Sequence, residues 1–276
     1  MNKFLLSLFC FLGIISCTRL DIAVNWADTY IASQVDDYFD LSSQQNKELK
    51  SDLKQDLRKI RSQQFPIWAK TLRQLEKEVR AGTLTEAGFA KYYRDAIAAS
   101  QHLLPMFTDT AVEFISSASA EQLEHFERAI RKKNVENEQK IQNSEQARND
   151  SRKKYLRWIE MWIESLTKDQ DQLLNQHLNN NPFPARAQIK NRTHVLEKFT
   201  EARKSPESLQ NFVRNYYTDK NQYSDPNYKQ ALTAYQADLE KFGYQLLNSL
   251  SEKQKSLLCE NLTEKAALLE KLAHKE

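Results

Sequence analysis

The feature that most constrains the fold is the scarcity of glycine and proline. The chain has 4 Gly and 6 Pro in 276 residues, and neither occurs between Pro105 and Pro182. Because these two residues end helices and form most tight turns, a sequence this poor in them favours long helices over short strands. Apolar residues recur at helical intervals, with no sustained alternation, so the sequence predicts an all-α fold.

A repeated motif marks the start of four helices. The copies are Leu41-Ser42-Ser43-Gln44-Gln45, Leu166-Thr167-Lys168-Asp169-Gln170, Leu250-Ser251-Glu252-Lys253-Gln254 and, more weakly, Ala118-Ser119-Ala120-Glu121-Gln122. A Ser or Thr followed three residues later by Gln forms a capping box, in which the hydroxyl accepts the N3 amide and the Gln side chain accepts the N-cap amide. We therefore predict a helix start at each copy.

The longest segment without a helix breaker runs from Ser119 to Ser165. As one helix it would be about 70 Å long, with a polar middle protruding into solvent as an arm. We favour this continuous helix; the alternative is a loop without Gly or Pro. Elsewhere we predict breaks at Ala81-Gly82, near Pro105, at residues 179–184, at Ser205-Pro206 and at residues 219–226.

The two halves of the chain resemble each other. The matching positions are Gln45, Tyr92-Tyr93 and Gln122 in the first half and Gln170, Tyr216-Tyr217 and Gln254 in the second. This ordered series predicts an internal duplication. We therefore predict an elongated multi-helix bundle of two duplicated helical units, residues 17–145 and 146–276, which share one core and are joined by the long helix.

The N-terminal segment has the layout of a secretory signal peptide. Lys3 precedes about a dozen apolar residues, too few to span a bilayer comfortably. Ile14-Ile15-Ser16-Cys17 then matches the lipobox of bacterial lipoproteins. We predict that residues 1–16 are removed and that Cys17 carries the lipid, including palmitate, that anchors the protein to the membrane. An ordinary cleaved signal followed by a chance cysteine is the alternative.

The residue after the lipobox cysteine indicates whether the protein stays on the inner membrane or moves to the outer membrane. Thr18 stands at the position where Asp favours retention in the inner membrane of enterobacteria. We therefore expect a cell-envelope protein on the outer membrane that faces the periplasm. Since Cys10 leaves with the signal peptide and Cys17 carries lipid, Cys259 is the one remaining thiol, and no intramolecular disulfide is expected.

The first predicted helix of the mature chain is amphipathic and lies close to the lipid. Its apolar positions are Leu20, Val24, Ala27, Ile31, Val35 and Tyr38. Trp26, Tyr30 and Phe39 widen this face, and acidic residues dominate the polar side. We expect the apolar face to pack into the core; the alternative is that it lies against the membrane surface.

Charge argues against nucleic acid as a partner. The formal net charge is +3, whereas nucleic-acid-binding domains usually carry a strong basic excess. The short basic clusters Arg131-Lys132-Lys133 and Arg152-Lys153-Lys154 stand among Glu and Gln, which is typical of a solvated helix face.

The residues that could form a catalytic or metal-binding site do not occur at the spacings typical of such sites. The histidines are His102, His125, His177, His194 and His274. No two are four residues apart, and four Gly supply neither a phosphate loop nor a Gly-x-Ser-x-Gly elbow. We predict no catalytic residue, no metal and no cofactor. We also expect Cys259 to be a buried, inert thiol and the tyrosine pairs to pack between helices rather than to line a groove.

Several short motifs together resemble a known family. They are Cys17-Thr18-Arg19-Leu20-Asp21, Asp36-Asp37-Tyr38-Phe39-Asp40-Leu41 and Glu121-Gln122-Leu123-Glu124-His125. In this order they resemble an uncharacterised proteobacterial lipoprotein family, domain of unknown function 6279. The resemblance covers most of the chain and implies a lipoprotein, but it brings no activity with it.

The capped segments are similar to a second group of proteins. Leu-Thr-x-x-Gln repeats are the hallmark of small periplasmic helical chaperones, and Leu166-Thr167-Lys168-Asp169-Gln170 fits that pattern. This chain is longer and is expected to be lipid-anchored, which those chaperones are not. Helix capping alone is a sufficient cause of the motif.

These observations favour a protein without enzymatic activity. We expect a membrane-anchored periplasmic lipoprotein that binds other proteins, in the manner of a chaperone-like holdase. The alternative is a structural or assembly subunit of a cell-envelope complex. An enzyme with a convergent carboxylate or tyrosine site is a third possibility, which a deep cleft with several ionisable groups would support.

Overall fold

The computed structural model describes residues 24–274, and every regular element among them is helical. The all-α prediction is therefore confirmed for this part of the chain. The signal peptide and Cys17 lie outside the described residues. Across residues 24–274, none of the helices combines the length and the apolar character needed to cross a lipid bilayer.

The helices follow one another with short connections. They are α1 (Ala27–Phe39), α2 (Ser43–Ala81), α3 (Glu86–Leu103), α4 (Thr108–Ser117), α5 (Ala120–Gln142), α6 (Ser144–Ile163), α7 (Lys168–Asn180), α8 (Ala185–Ala202), α9 (Pro206–Thr218), α10 (Pro226–Asn248) and α11 (Glu252–Ala273). Short 3₁₀ helices, Leu104–Phe107 and Lys220–Tyr223, follow α3 and α9.

All four predicted capping boxes form, at the starts of α2, α5, α7 and α11. A helix also ends at each of the predicted breaks. At the end of α2, Gly82 adopts a φ of 64°, and the Thr83 N–H donates to the Glu78 carbonyl over 3.0 Å. Gly is favoured at this position because residues with a Cβ disfavour the left-handed conformation at positive φ.

The predicted continuous helix over residues 119–165 is wrong. α5 ends at Gln142 and α6 begins at Ser144, because Asn143 leaves the helical conformation with a ψ of 97°. Its side chain accepts the Gln146 N–H over 3.0 Å and so caps α6. Asn is among the best N-cap residues, so one Asn ends a helix that contains neither Gly nor Pro. The alternative, an interruption of the helix that contains neither Gly nor Pro, is therefore correct.

Three hydrophobic clusters form the interior. The first joins α1, α2, α3 and α11, the second joins α1, α4, α5, α8 and α9, and the third joins α6, α7 and α10. The first and second clusters therefore contain residues from both predicted halves, which pack as one body. The proposed boundary between residues 145 and 146 falls in the first turn of α6, beside the break at Asn143.

The longest contact between the halves is made by α2 and α11, which run antiparallel. The Cys259 Sγ lies 3.8 Å from the carbonyl oxygen of Glu76, and Arg73 forms a two-pronged ion pair with Glu270, with both N–O distances 2.7 Å. Along the same helix pair, Ala69, Ala266 and other apolar residues of the first cluster are almost fully buried. α2 continues through Pro66 without ending.

The capping glutamines also contact each other across the chain. In what we call the second glutamine pair, the Gln170 Nε2 donates to the Gln254 Oε1 over 3.0 Å, and the Gln254 Nε2 donates to the Gln170 Oε1 over 2.9 Å. Each amide also donates to a carbonyl at the end of another helix, at Ser249 and Ser165, both over 2.9 Å. One pair thus joins the ends of α6 and α10 to the starts of α7 and α11.

The first glutamine pair, Gln45 and Gln122, repeats this arrangement. The two amides exchange hydrogen bonds of 3.1 and 2.8 Å, and they donate to the carbonyls of Ser117 and Asp40. This pair joins the ends of α1 and α4 to the starts of α2 and α5. It is partly exposed, whereas Gln170 and Gln254 are 1% and 7% exposed.

The pairing explains why the fourth residue of each cap is Gln. A capping box accepts Glu or Gln, because only the side-chain oxygen is needed. A reciprocal amide pair needs donors as well, and an ionised carboxylate has none. In Gln170, both amide protons and the oxygen have partners, including the Thr167 N–H at 2.9 Å.

We predict that Gln170→Glu lowers the free energy of unfolding by about 3 kcal/mol at neutral pH, because the Gln254 Oε1 and the Ser249 carbonyl each lose a donor in a buried site. Gln45→Glu, in the partly exposed pair, is the matched control and loses about 1 kcal/mol. Urea unfolding followed by circular dichroism measures both. Wild-type stability in Gln170→Glu would mean that the glutamine serves only as a cap.

Candidate functional site

Cys17, the residue predicted to be lipidated, lies outside the described part of the chain. Within the described residues, Cys259 lies on α11 and is 2% exposed. Burial raises the pKa of this thiol, which disfavours the reactive thiolate. The prediction that Cys259 is buried is confirmed, and the raised pKa agrees with the expectation of an inert thiol.

The two tyrosine pairs lie at helix contacts. Tyr216 and Tyr217 on α9 pack against the second cluster, and burial raises the pKa of Tyr217 to about 12. Tyr92 on α3 donates to the Glu78 carboxylate over 3.0 Å, and burial together with this contact raises its pKa to about 12. These pKa values disfavour the phenolate, so the placement agrees with the predicted packing role.

The basic clusters lie on solvated helix faces, as predicted. Arg131 and Lys132 are exposed on α5, and Lys153 and Lys154 are exposed on α6. Arg152 differs from its neighbours, because it forms an ion pair with Asp171 of α7.

One polar network joins three helices inside the molecule. The Tyr155 hydroxyl on α6 lies 3.1 Å from the His177 Nε2 on α7 and 2.5 Å from the Tyr235 hydroxyl on α10. The His177 ring stacks on Phe242, with centroids 4.6 Å apart and an interplanar angle of 15°. These residues come from distant parts of the chain, so no local spacing in the sequence indicates the network.

The electrostatics of this network favour neutral groups. Burial lowers the pKa of His177, and the nearby Asp238 carboxylate opposes that shift. Burial also raises the pKa of Tyr155 and of Tyr235. Imidazole and phenols are all uncharged at neutral pH, an arrangement that links helices through hydrogen bonds and does not generate a nucleophile.

The surface depressions are shallow. One of them, near α3 and α10 and about 480 Å³ in volume, is open to solvent and is lined by Glu86, Lys241, Tyr244, Gln245, Asn248 and Ser249. Within residues 24–274, no group of three or more His, Cys, Asp or Glu side chains is placed to hold a metal ion.

Several large apolar side chains are exposed. They are Trp26 (64% exposed), Tyr30 (44%), Ile67 (56%), Val135 (52%) and Trp158 (45%). The core-facing prediction for α1 is confirmed for Ile31 and Phe39, which are buried. It is wrong for Trp26 and Tyr30, because the face of α1 that meets α2 is too narrow to cover these two rings as well.

We predict that stability falls as the pH drops from 7 to 5. The pKa of His177 is lower in the folded protein than the usual 6.5, so the unfolded chain takes up the proton first. The stabilisation by neutral His177 is present above pH 6.5 and is lost as the pH falls through the folded pKa. When the free energy of unfolding from urea titrations is plotted against pH over this range, the slope should be shallower for His177→Gln than for the wild type.

The matched control for this variant is His102→Gln, at an exposed histidine of α3, which should keep the wild-type slope. An unchanged slope in His177→Gln would assign the pH dependence to other groups.

The family of the chain is shown by sequence comparison. DUF6279, a family of unknown function, matches residues 37–229, which is more than half of the chain. The match runs from α1 into the first turn of α10 and includes both residues of the first glutamine pair. A search of curated proteins and of solved structures found no match. The protein belongs to the DUF6279 family.

Proposed function

We propose that this protein is a lipid-anchored lipoprotein of the bacterial envelope that binds other proteins, in the manner of a holdase. The observation that carries the proposal is the group of large apolar side chains exposed on separate helices. Ile67, Val135 and Trp158 lie on α2, α5 and α6 and are each about half exposed. Contact of these side chains with the apolar segments of unfolded or partly folded chains removes apolar surface from water, which is favourable.

Trp158 is the strongest candidate among these contacts. It has exposed charged neighbours on α6, Arg157 and Glu160, which keep the helix face soluble. Tryptophan is enriched among the residues that dominate binding energy at protein interfaces. A ring in this setting fits weak and reversible contacts with many clients.

The predicted lipid places these side chains close to a membrane. Val24, the first described residue, is seven positions after Cys17. A fully extended chain of that length reaches about 25 Å. The helical body is therefore tethered near the membrane, and we place it on the periplasmic face of the outer membrane.

We also propose that the two halves arose by duplication. The support is the pairing of the four capping glutamines as Gln45 with Gln122 and Gln170 with Gln254. A 3₁₀ helix also follows the Tyr-Tyr helix in each half. A superposition of α1–α5 on α6–α11 that kept the two glutamine pairs apart would contradict the duplication.

A holdase should delay aggregation of denatured clients. Lipid-free protein at a near-equimolar ratio is expected to slow the light scattering of reduced insulin and of denatured lysozyme. Trp158→Ala should lose part of this effect, because it removes an exposed apolar contact, while Lys153→Ala serves as the matched control on the same helix. Absence of any effect on several clients would contradict the holdase version. Crosslinking in cells to one dominant partner would then favour an assembly subunit.

Lipidation is tested separately. Radioactive palmitate should label the wild-type protein in cells, and Cys17→Ala should be unlabelled and released from the membrane fraction. Cys259→Ala is the matched control and should remain labelled. If Cys17→Ala remained labelled and membrane-bound, the lipoprotein assignment would be wrong.

A further inference from the structure

The two sides of α6 have different roles in the fold. On the inward side, Ile159 and Ile163 are buried in the third cluster. Arg152 lies on the same side and forms an ion pair with Asp171 of α7. This side of the helix is therefore covered by the rest of the molecule.

Four residues follow the outward side of α6, and we call them the outward stripe. They are Lys154, Arg157, Trp158 and Met161. Residues at positions i, i+3, i+4 and i+7 share one face of an α-helix, so these side chains lie next to each other. Lys154 and Arg157 are exposed, Trp158 is 45% exposed and Met161 is half-buried. The outward stripe thus combines two cations with an indole and a thioether.

The cations of the outward stripe have no acidic partner in the described part of the chain. Residues 151–159 contain no Asp or Glu, and neither Lys154 nor Arg157 forms an ion pair within residues 24–274. An exposed cation elsewhere has such a partner one turn away, as Arg80 has in Glu76. The positive charge of the outward stripe is therefore available to an acidic group of another molecule.

The cations and the indole contribute differently to binding. An exposed ion pair changes an affinity by about fivefold or less, because water and salt screen it. Truncation of a tryptophan at the centre of an interface commonly costs tenfold or more. Charge of this kind therefore selects the partner and speeds its approach, whereas the Trp158 ring supplies most of the affinity.

We propose that the outward stripe is a docking surface for an acidic segment of a client protein, in which apolar side chains stand between Asp and Glu residues. The client carboxylates pair with Lys154 and Arg157, and an apolar client side chain covers the Trp158 ring. This inference deepens the proposed function, because it rests on the binding of proteins and names the class of segment that is bound.

The surroundings of the outward stripe favour a narrow peptide segment over an anionic membrane. Asp150 lies one turn before Lys154, Glu160 lies beside the stripe, and both carboxylates are exposed. A flat anionic surface that reached the cations would also approach these carboxylates and be repelled by them. A peptide segment is narrow enough to contact the cations and the indole without meeting either carboxylate.

Peptide binding tests the docking surface independently of aggregation. Two fluorescent peptides of equal length alternate Leu with Asp or Leu with Lys, and anisotropy with the lipid-free mature chain measures their affinities. At low ionic strength we expect the wild type to prefer the acidic peptide by about tenfold or more, and high salt should remove this preference. Trp158→Ala should weaken binding of the acidic peptide about tenfold. Trp26→Ala, at the exposed tryptophan of α1, is the matched control and should keep the affinity.

Charge reversal tests whether the cations select the peptide. Lys154→Glu with Arg157→Glu should exchange the preference, so that the basic peptide binds more tightly than the acidic one, a gain that a misfolded variant could not show. Lys190→Glu with Lys198→Glu, at exposed lysines of α8, changes the net charge equally and should keep the acidic preference.

Three results would overturn the docking surface. They are equal affinity of the wild type for both peptides, an unchanged preference after charge reversal in the outward stripe, and binding to phosphatidylglycerol vesicles through Lys154 and Arg157 without binding of the acidic peptide. Failure of the holdase is read separately, from the light scattering of clients. Protection of clients that survives the charge reversal would leave the holdase standing without this surface.

Discussion

Reciprocal hydrogen bonds between capping glutamines hold the ends of the helices together. A helix start has amide protons without partners, and a helix end has carbonyls without partners. Each glutamine of a pair accepts from its own N-cap amide, exchanges hydrogen bonds with the opposite glutamine and donates to a carbonyl at the end of another helix. Four helix termini are thereby satisfied at one point by side-chain amides alone.

The glutamine pairs lie within each half of the chain, and other contacts join the two halves. Each pair joins helices of one half, whereas the apolar contacts of α2 with α11 and of α5 with α8 join the two halves. Within a half, the polar contacts at the helix ends act together with apolar packing such as the third cluster. Between the halves, burial of apolar surface acts together with ion pairs such as that of Arg73 with Glu270. The network of Tyr155, His177 and Tyr235, which is partly buried, adds a further polar link, and burial shifts the pKa of each member towards its neutral form.

The sequence predicted the features that depend on local interactions. All four capping boxes and the turn at Gly82 were predictable, because each involves residues within one helical turn. The glutamine pairs were not, since the pairing of Gln170 with Gln254 joins residues 84 apart. The break at Asn143 was missed because one Asn cap carries no Gly or Pro signal. The exposure of Trp26 was missed because an aromatic ring beside an apolar stripe fits core and surface equally well.

The central claim is that the capping glutamines act as a pair, and a double-mutant cycle with Gln170→Ala and Gln254→Ala tests it most directly. Two independent caps should lose stability additively. The paired arrangement predicts that the double variant loses less than the sum of the single variants, with a coupling of about 1 kcal/mol or more in urea unfolding. A coupling energy near zero would contradict the account.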